Sequence, residues 1–124
     1  MLITCSFFDS DKYDGAKFSI ARSQPVGAAK FPEIRYLAPS RVLLDTWKND
    51  KISWKNYVDL YRIQLRDLDP IRKQYLRDLI GTIISGKNII LMCWERTAHQ
   101  CHRRLFAEWL IEQNLVQENL IEIN

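Results

Sequence analysis

The spacing of apolar and polar positions changes several times along the chain, and each change marks an element. "LITCSFF" (Leu2–Phe8) is short, apolar and rich in β-forming residues, and reads as a strand. "DSDKYDGA" (Asp9–Ala16) is a turn-rich break. In "KFSIAR" (Lys17–Arg22), Phe18, Ile20 and Arg22 alternate with Ser19 and Ala21, the period of a second strand. Ser23–Pro39 holds three of the four prolines and no clean period, so it reads as a long loop of the kind that tends to be functional or mobile.

The period then becomes helical. Ser40 can cap a helix to about Lys48, with Leu43, Leu44 and Trp47 inward. Ser53 can cap another, with Trp54, Tyr57, Val58, Tyr61 and Leu65 three or four apart. Asp69-Pro70 is an N-cap followed by a first-turn proline. The helix behind it places Ile71, Tyr75, Leu76, Leu79, Ile83 and Ile84 inward and ends near Ser85-Gly86. "NIILMCW" (Asn88–Trp94) is a continuous apolar run, typical of a strand buried on both faces. Thr97-Ala98-His99-Gln100 matches a capping box and predicts a helix from Ala98 to about Gln113. "LIEI" (Leu120–Ile123) reads as a last strand. This order predicts a single α/β domain over 1–124, a three-layer sandwich around a small, mostly parallel sheet.

Composition narrows the function classes. The 18 Lys+Arg against 15 Asp+Glu leave a net charge of +3, which permits an anionic ligand but is no clustered nucleic-acid stripe. No apolar run approaches the roughly 18 residues of a membrane span, and the first residues do not read as a signal peptide. Three cysteines cannot all pair with one another, so a reducing cytoplasm is expected.

The chemistry concentrates in "LMCWERTAHQCHRR" (Leu91–Arg104), which holds two of the three cysteines and both histidines. Cys93 falls near the carboxyl end of the buried strand, where open α/β sheets bind ligands. Cys101 and His102 fall in the next helix at its inward stripe, four residues before Leu105 and Phe106, while Arg103 and Arg104 start the other side. Four readings are open. In a thiol site, Cys93 or Cys101 is the nucleophile, and Glu95 or His102 transfers protons. In a metal site, zinc takes Cys93, Cys101 and His99 or His102, with Cys5 or Glu95 as a fourth ligand, although the spacing is not that of a zinc finger. In a ligand cradle, His102, Arg103 and helix N–H groups hold a phosphate or carboxylate. In a packed core, the thiols are small hydrophobes, the assignment made for Cys5. If the sheet is parallel at its centre, Arg22 and Ser23 face Cys93 and Glu95, and the loop brings Lys30, Arg35 and Tyr36. That pocket suits a nucleotide or nucleic-acid end; a solvated basic loop is the alternative.

"LMCWERTAHQCHRRLFAEWL" resembles the signature of the domain-of-unknown-function 488 family: a strand ending Leu-x-Cys-x-Glu, a polar stretch, then Cys-His-Arg opening a helix. The matching positions are Leu91, Cys93, Glu95, Cys101, His102, Arg103, Leu105, Ala107 and Glu108. "FSIARSQP", "YLAPS" and "KISWKNYVDLY" are similar to further segments, in the same order, with Asp50-Lys51 in place of a Lys-Gly pair and Tyr57 in place of Phe. The resemblance implies an α/β domain and a site on Cys93, Glu95, Cys101, His102 and Arg103, with Arg22 similar to an arginine near the first strands. It implies no settled reaction. The reading carried forward is a small cytosolic enzyme acting on an anionic or nucleotide-like substrate held by Arg22, Ser23 and Arg103, without cofactor. A non-enzymatic nucleotide or nucleic-acid binding module and a structural zinc site are the alternatives.

Overall fold

The structure is a computed structural model that describes residues 1–27 and 30–124. Its strands are β1 (Leu2–Ser6), β2 (Ala16–Ser19), β3 (Ile89–Cys93) and β4 (Ile121–Ile123). They form one parallel sheet in the order β2-β3-β1-β4. The helices are α1 (Arg41–Lys48), α2 (Trp54–Arg66), α3 (Pro70–Ile84) and α4 (His102–Glu112).

Local chemistry accounts for most of the boundaries. The hydroxyls of Ser40 and Ser53 and the carboxylate of Asp69 accept the N–H groups of Leu43, Asn56 and Arg72, satisfying donors that a helix start leaves free. Pro70 sits in the first turn of α3, where no N–H is needed. Gly86 follows the α3 cap at φ 95°, a left-handed turn that a β-carbon disfavours. The central strands β1 and β3 are buried along their whole length, as their unbroken apolar runs require.

The fold is a three-layer α/β sandwich with unequal outer layers. On one face, Leu2, Ile89 and Leu91 pack against Tyr57, Tyr61 and Leu65 of α2, Leu76 and Ile83 of α3, and Leu105, Phe106 and Leu110 of α4. On the other, Ile3, Cys5, Ile90 and Met92 are covered by Phe7 of a short 3-10 segment (Phe7–Lys12), Tyr13 and Phe31. No helix among the described residues is long and apolar enough to cross a membrane.

Several expectations shift. The first strand ends at Ser6, because the Ser6 hydroxyl accepts the Phe8 N–H and opens the 3-10 segment. The loop Ser23–Pro39 is partly structured: Glu33 bridges Ser19, and Arg35–Leu37 forms a 3-10 turn. On α3, Leu76 and Ile83 are buried, whereas Ile71, Tyr75 and Ile84 are more than half exposed. The apolar stripe of α3 is wider than the face that the core has room for.

Candidate thiol site at the strand ends

Because β1, β2 and β3 run parallel, their carboxyl ends meet at one edge. Ser6 lies beside Cys93 in register, and the Ile20 N–H continues the β2 ladder by donating to the Met92 carbonyl at 2.9 Å. Ala21 and Arg22 therefore leave the sheet next to Cys93, as the parallel arrangement requires.

The segment after Cys93 corrects the expected helix start. Residues 94–100 are bends and turns; Cys101 is the N-cap of α4, in extended conformation, and His102 opens the helix. The Thr97–Gln100 capping box does not operate. Tertiary contacts of Cys101, His102 and Arg103 at the strand end decide where the helix begins, and they outweigh a cap worth about 1 kcal/mol. Cys101, His102 and Arg103 thus occupy the helix mouth rather than its second turn.

Four of these side chains interlock. Glu95 Oε2 accepts from the Sγ of Cys93 at 3.3 Å and of Cys101 at 3.2 Å. Arg103, expected on the outer side of the helix, is fully buried beneath the sulfurs. Its Nη1 donates to Cys93 Sγ at 2.9 Å, to the Glu95 carbonyl at 2.7 Å and to Cys101 Sγ at 3.6 Å. Its Nε and Nη2 both donate to the Asn124 backbone oxygen, at 3.1 and 2.9 Å. His102 Nε2 lies 2.6 Å from the Ile20 carbonyl. A carbonyl only accepts, so Nε2 carries the proton and Nδ1 is left as an acceptor, 4.0 Å from Cys101 Sγ.

Burial and pairing set the charges. Burial holds His102 down at about 4, although the Ile20 carbonyl and Glu95 oppose it, so the ring is neutral near pH 7. Burial alone pushes the Glu95 carboxyl up. Its own backbone N–H and the Cys101 and Cys93 thiols outweigh this and keep it below the ordinary range. Cys101 is pushed far up by its hydrogen bond with Cys93 and by burial. Arg103 stays charged: burial acts against it, and the sulfurs and Glu95 more than compensate. Cys5, packed in the same cluster but without a hydrogen bond to Glu95 or Arg103 among the described residues, is raised to about 11, chiefly by burial.

Above the sulfurs lies a pocket of about 70 Å³, lined by Cys93, Glu95, Cys101 and His102 on one side and by Arg22, Ser23, Pro39 and Tyr57 on the other. The Tyr61 hydroxyl bonds the Leu37 carbonyl and the Gln64 amide bonds the Ala38 carbonyl, which fixes the segment carrying Pro39. Arg22 donates one long bond, from Nη1 to the Pro39 carbonyl at 3.4 Å, and its buried Nε has no partner among the described residues. Ser23 is held by the Trp94 indole N–H, which donates to its carbonyl and hydroxyl at 3.0 Å.

The sequence-selected residues Arg22, Ser23, Cys93, Glu95, Cys101 and His102 are therefore brought to one pocket, with Arg103 directly behind it. His99 is left out: it is exposed, and the described residues with converging metal-ligand atoms are Cys93, Cys101 and His102, all within 4.8 Å of one another. Sequence reasoning missed Trp47, Lys48 and Tyr57, which also line the pocket. Lys48 reads as one more surface cation. Tyr57 reads as part of a core stripe, and its phenol among apolar neighbours was the one available signal. Burial raises that phenol strongly, as do the nearby sulfurs and Glu95, so it remains a donor.

No curated protein and no solved structure matches this chain. A family model described as the active DUF488-N3 subclade matches residues 6–114, a span that runs from the end of β1 past the end of α4 and contains every residue of the pocket. On that match, the chain belongs to the DUF488 family.

Proposed function

We propose that this chain is a small thiol-dependent enzyme of the cytoplasm, acting on an anionic, nucleotide-like substrate with Cys93 as its nucleophile. One observation carries the reading. A fully buried guanidinium contacts Cys93 Sγ at 2.9 Å, at the floor of a pocket whose opposite wall holds an arginine with an unpartnered buried N–H. A cation in contact with sulfur favours the thiolate, the reactive form of cysteine. The proton of Cys93 leaves by way of Glu95 Oε2, whose depressed carboxyl passes it on to solvent rather than keeping it, and Arg103 holds the charge left on sulfur. The sulfur then bonds to an electrophilic centre of the bound anion as the bond from that centre to its leaving group breaks, and the leaving group departs with that electron pair and takes a proton from solvent. Arg22 supplies the unfilled donor that a phosphate or carboxylate needs. Tyr57 adds a neutral O–H. His102, neutral and tethered through Nε2, presents only an acceptor. Arg103 is a positioning residue and does not reach the pocket. The three free cysteines support a reducing compartment.

A second reading, a structural zinc site, is favoured by the convergence of Cys93, Cys101 and His102 and by the Ile20 carbonyl on the far nitrogen of His102. Arg103 argues against it, because its positive charge already occupies the sulfurs. Two measurements decide. Alkylation of native protein across pH, read residue by residue by mass spectrometry, should label Cys93 earlier and at lower pH than Cys5. Added AMP or inorganic phosphate should protect Cys93. Equal, slow labelling of both cysteines refutes the thiol reading. Zinc in the purified protein, with a chelator lowering Tm, establishes the metal.

A further inference from the structure

The thiol pocket is too small for a whole substrate. At about 70 Å³ it lies well below the roughly 300–1,000 Å³ of ordinary ligand sites. It opens onto larger space, however. A second cleft, about 400 Å³, shares Arg22 and Ser23 with it and is lined further on by Lys30 and Arg35. A third, about 540 Å³, shares Glu33 and Arg35 with the second and continues over Tyr36, Ile71 and Tyr75. The shared residues set the three clefts side by side in a row, from Cys93 to Tyr75 of α3, and we read the row as one track.

Its chemistry changes along the way in a consistent manner. Cations line the first part: Arg22, Lys30 and Arg35. Glu33, the acid in the second cleft, pairs with Arg35 Nε at 2.9 Å, so the two add no net charge; the positive charge of the cleft comes from Arg22 and Lys30, and Arg35 offers only its Nη donors. The far part offers aromatic surface. Tyr75 is 55% exposed, and its ring lies 6.4 Å from that of Tyr36. At the thiol end, Trp94 is 38% exposed and is fixed through its indole N–H. Alternation of cationic and flat aromatic surface along a groove is how proteins hold unpaired bases and their phosphates.

We infer that the track binds single-stranded nucleic acid, with phosphates on Arg22, Lys30 and Arg35, a base against Tyr75, and one group inserted into the thiol pocket. This rests on the thiol reading above and names its substrate class. A duplex does not fit the inference, since paired bases hide the faces that Tyr75 would stack on. An acidic peptide has charge but no such faces.

The test is fluorescence anisotropy with a short, labelled, mixed-sequence single-stranded oligonucleotide on the full chain. Binding should weaken steeply as salt rises. Tyr75→Ala should weaken it between about 5-fold and about 150-fold, the range of one lost base stack. Lys30→Gln should reduce the salt slope by about 0.7, the share of one phosphate contact on a single strand. Both side chains are exposed, so an unchanged circular dichroism spectrum certifies the fold. No binding, equal affinity for the duplex or for polyglutamate, or indifference to Tyr75→Ala overturns the inference. If the oligonucleotide fails while AMP still protects Cys93 from alkylation, the track is wrong and the thiol reading stands. If Tyr75-dependent binding is found while Cys93 labels no faster than Cys5, the thiol reading is wrong and the track stands.

Discussion

Arg103→Met removes the charge and the donors of Arg103 while keeping much of its volume. The wild-type guanidinium donates to Cys93 Sγ in a buried contact, and to the Glu95 carbonyl and, twice, the Asn124 backbone oxygen in part-buried ones. Methionine donates nothing, so two backbone oxygens lose their partner, at about 1–3 kcal/mol for each unsatisfied group. The Glu95 carboxylate also loses its cationic neighbour. Removing one side of a buried charged network costs about 3–5 kcal/mol, and we expect a loss in that range. Small domains are stable by about 5–15 kcal/mol, so the variant should still fold. For a chain of this length the loss is roughly 12–20 °C in Tm. Urea unfolding followed by tryptophan fluorescence, with the m-value checked against wild type, measures it. A loss below about 1 kcal/mol would refute the argument, because it would mean that the buried oxygens and sulfurs find other partners. Arg103→Lys separates structure from chemistry. One ammonium cannot reach Cys93, Glu95 and Asn124 together, so the loss should be smaller but real. In the folded Lys variant, Cys93 alkylation should require higher pH, a shift that a merely structural arginine would not cause.

Further outcomes follow from the same geometry. The His102 ring is held neutral down to about pH 4, whereas the unfolded chain takes up that proton near pH 6.5. Its stabilising contribution is therefore complete above about pH 6.5 and is lost on acidification towards about pH 4, by roughly 3 kcal/mol. Urea midpoints should fall across that window in wild type and much less in His102→Gln; a flat wild-type profile between about pH 7 and pH 5 would contradict the buried neutral ring. Glu95→Gln keeps an oxygen that accepts from the thiols but removes the carboxylate that carries the Cys93 proton away, so Cys93 should alkylate about a hundredfold more slowly at neutral pH, the low end of what positioned proton transfer contributes; unchanged labelling assigns the proton elsewhere. At Gly15, a β-carbon would sit 2.6 Å from the Asn88 carbonyl and 2.8 Å from its β-carbon. Gly15→Ala should therefore cost about 1–3 kcal/mol by thermal melting.

The chain's own order of residues determined a good deal. Ser40, Ser53 and Asp69-Pro70 start their helices as local capping chemistry demands, because a cap needs only neighbours in sequence. The apolar run at Ile89–Cys93 is a central parallel strand, since only burial on both faces rewards such a run. Cys93 and Glu95 were legible as partners because their spacing at a strand end carries both into one pocket. The register that sets Arg22 beside them was conditional on a parallel pairing of β2 with β3, which no local signal specifies. The start of α4 differs from the expected one, since a capping box of four residues competes with contacts to residues 93 and 95 at the strand end and to residues 20 and 124, far away in sequence. The same holds for Arg103. Helical spacing turns it outward, but the strand ends and the Asn124 oxygen provide a buried set of acceptors, and only the tertiary fold assembles that set. Tyr75 is the converse: its stripe position reads as core, and the limited area that α3 shares with α2 and the sheet leaves it outside. Local propensity and period decide elements over a few turns. Which side chain is buried, charged or free to meet a ligand depends on what distant segments bring to it.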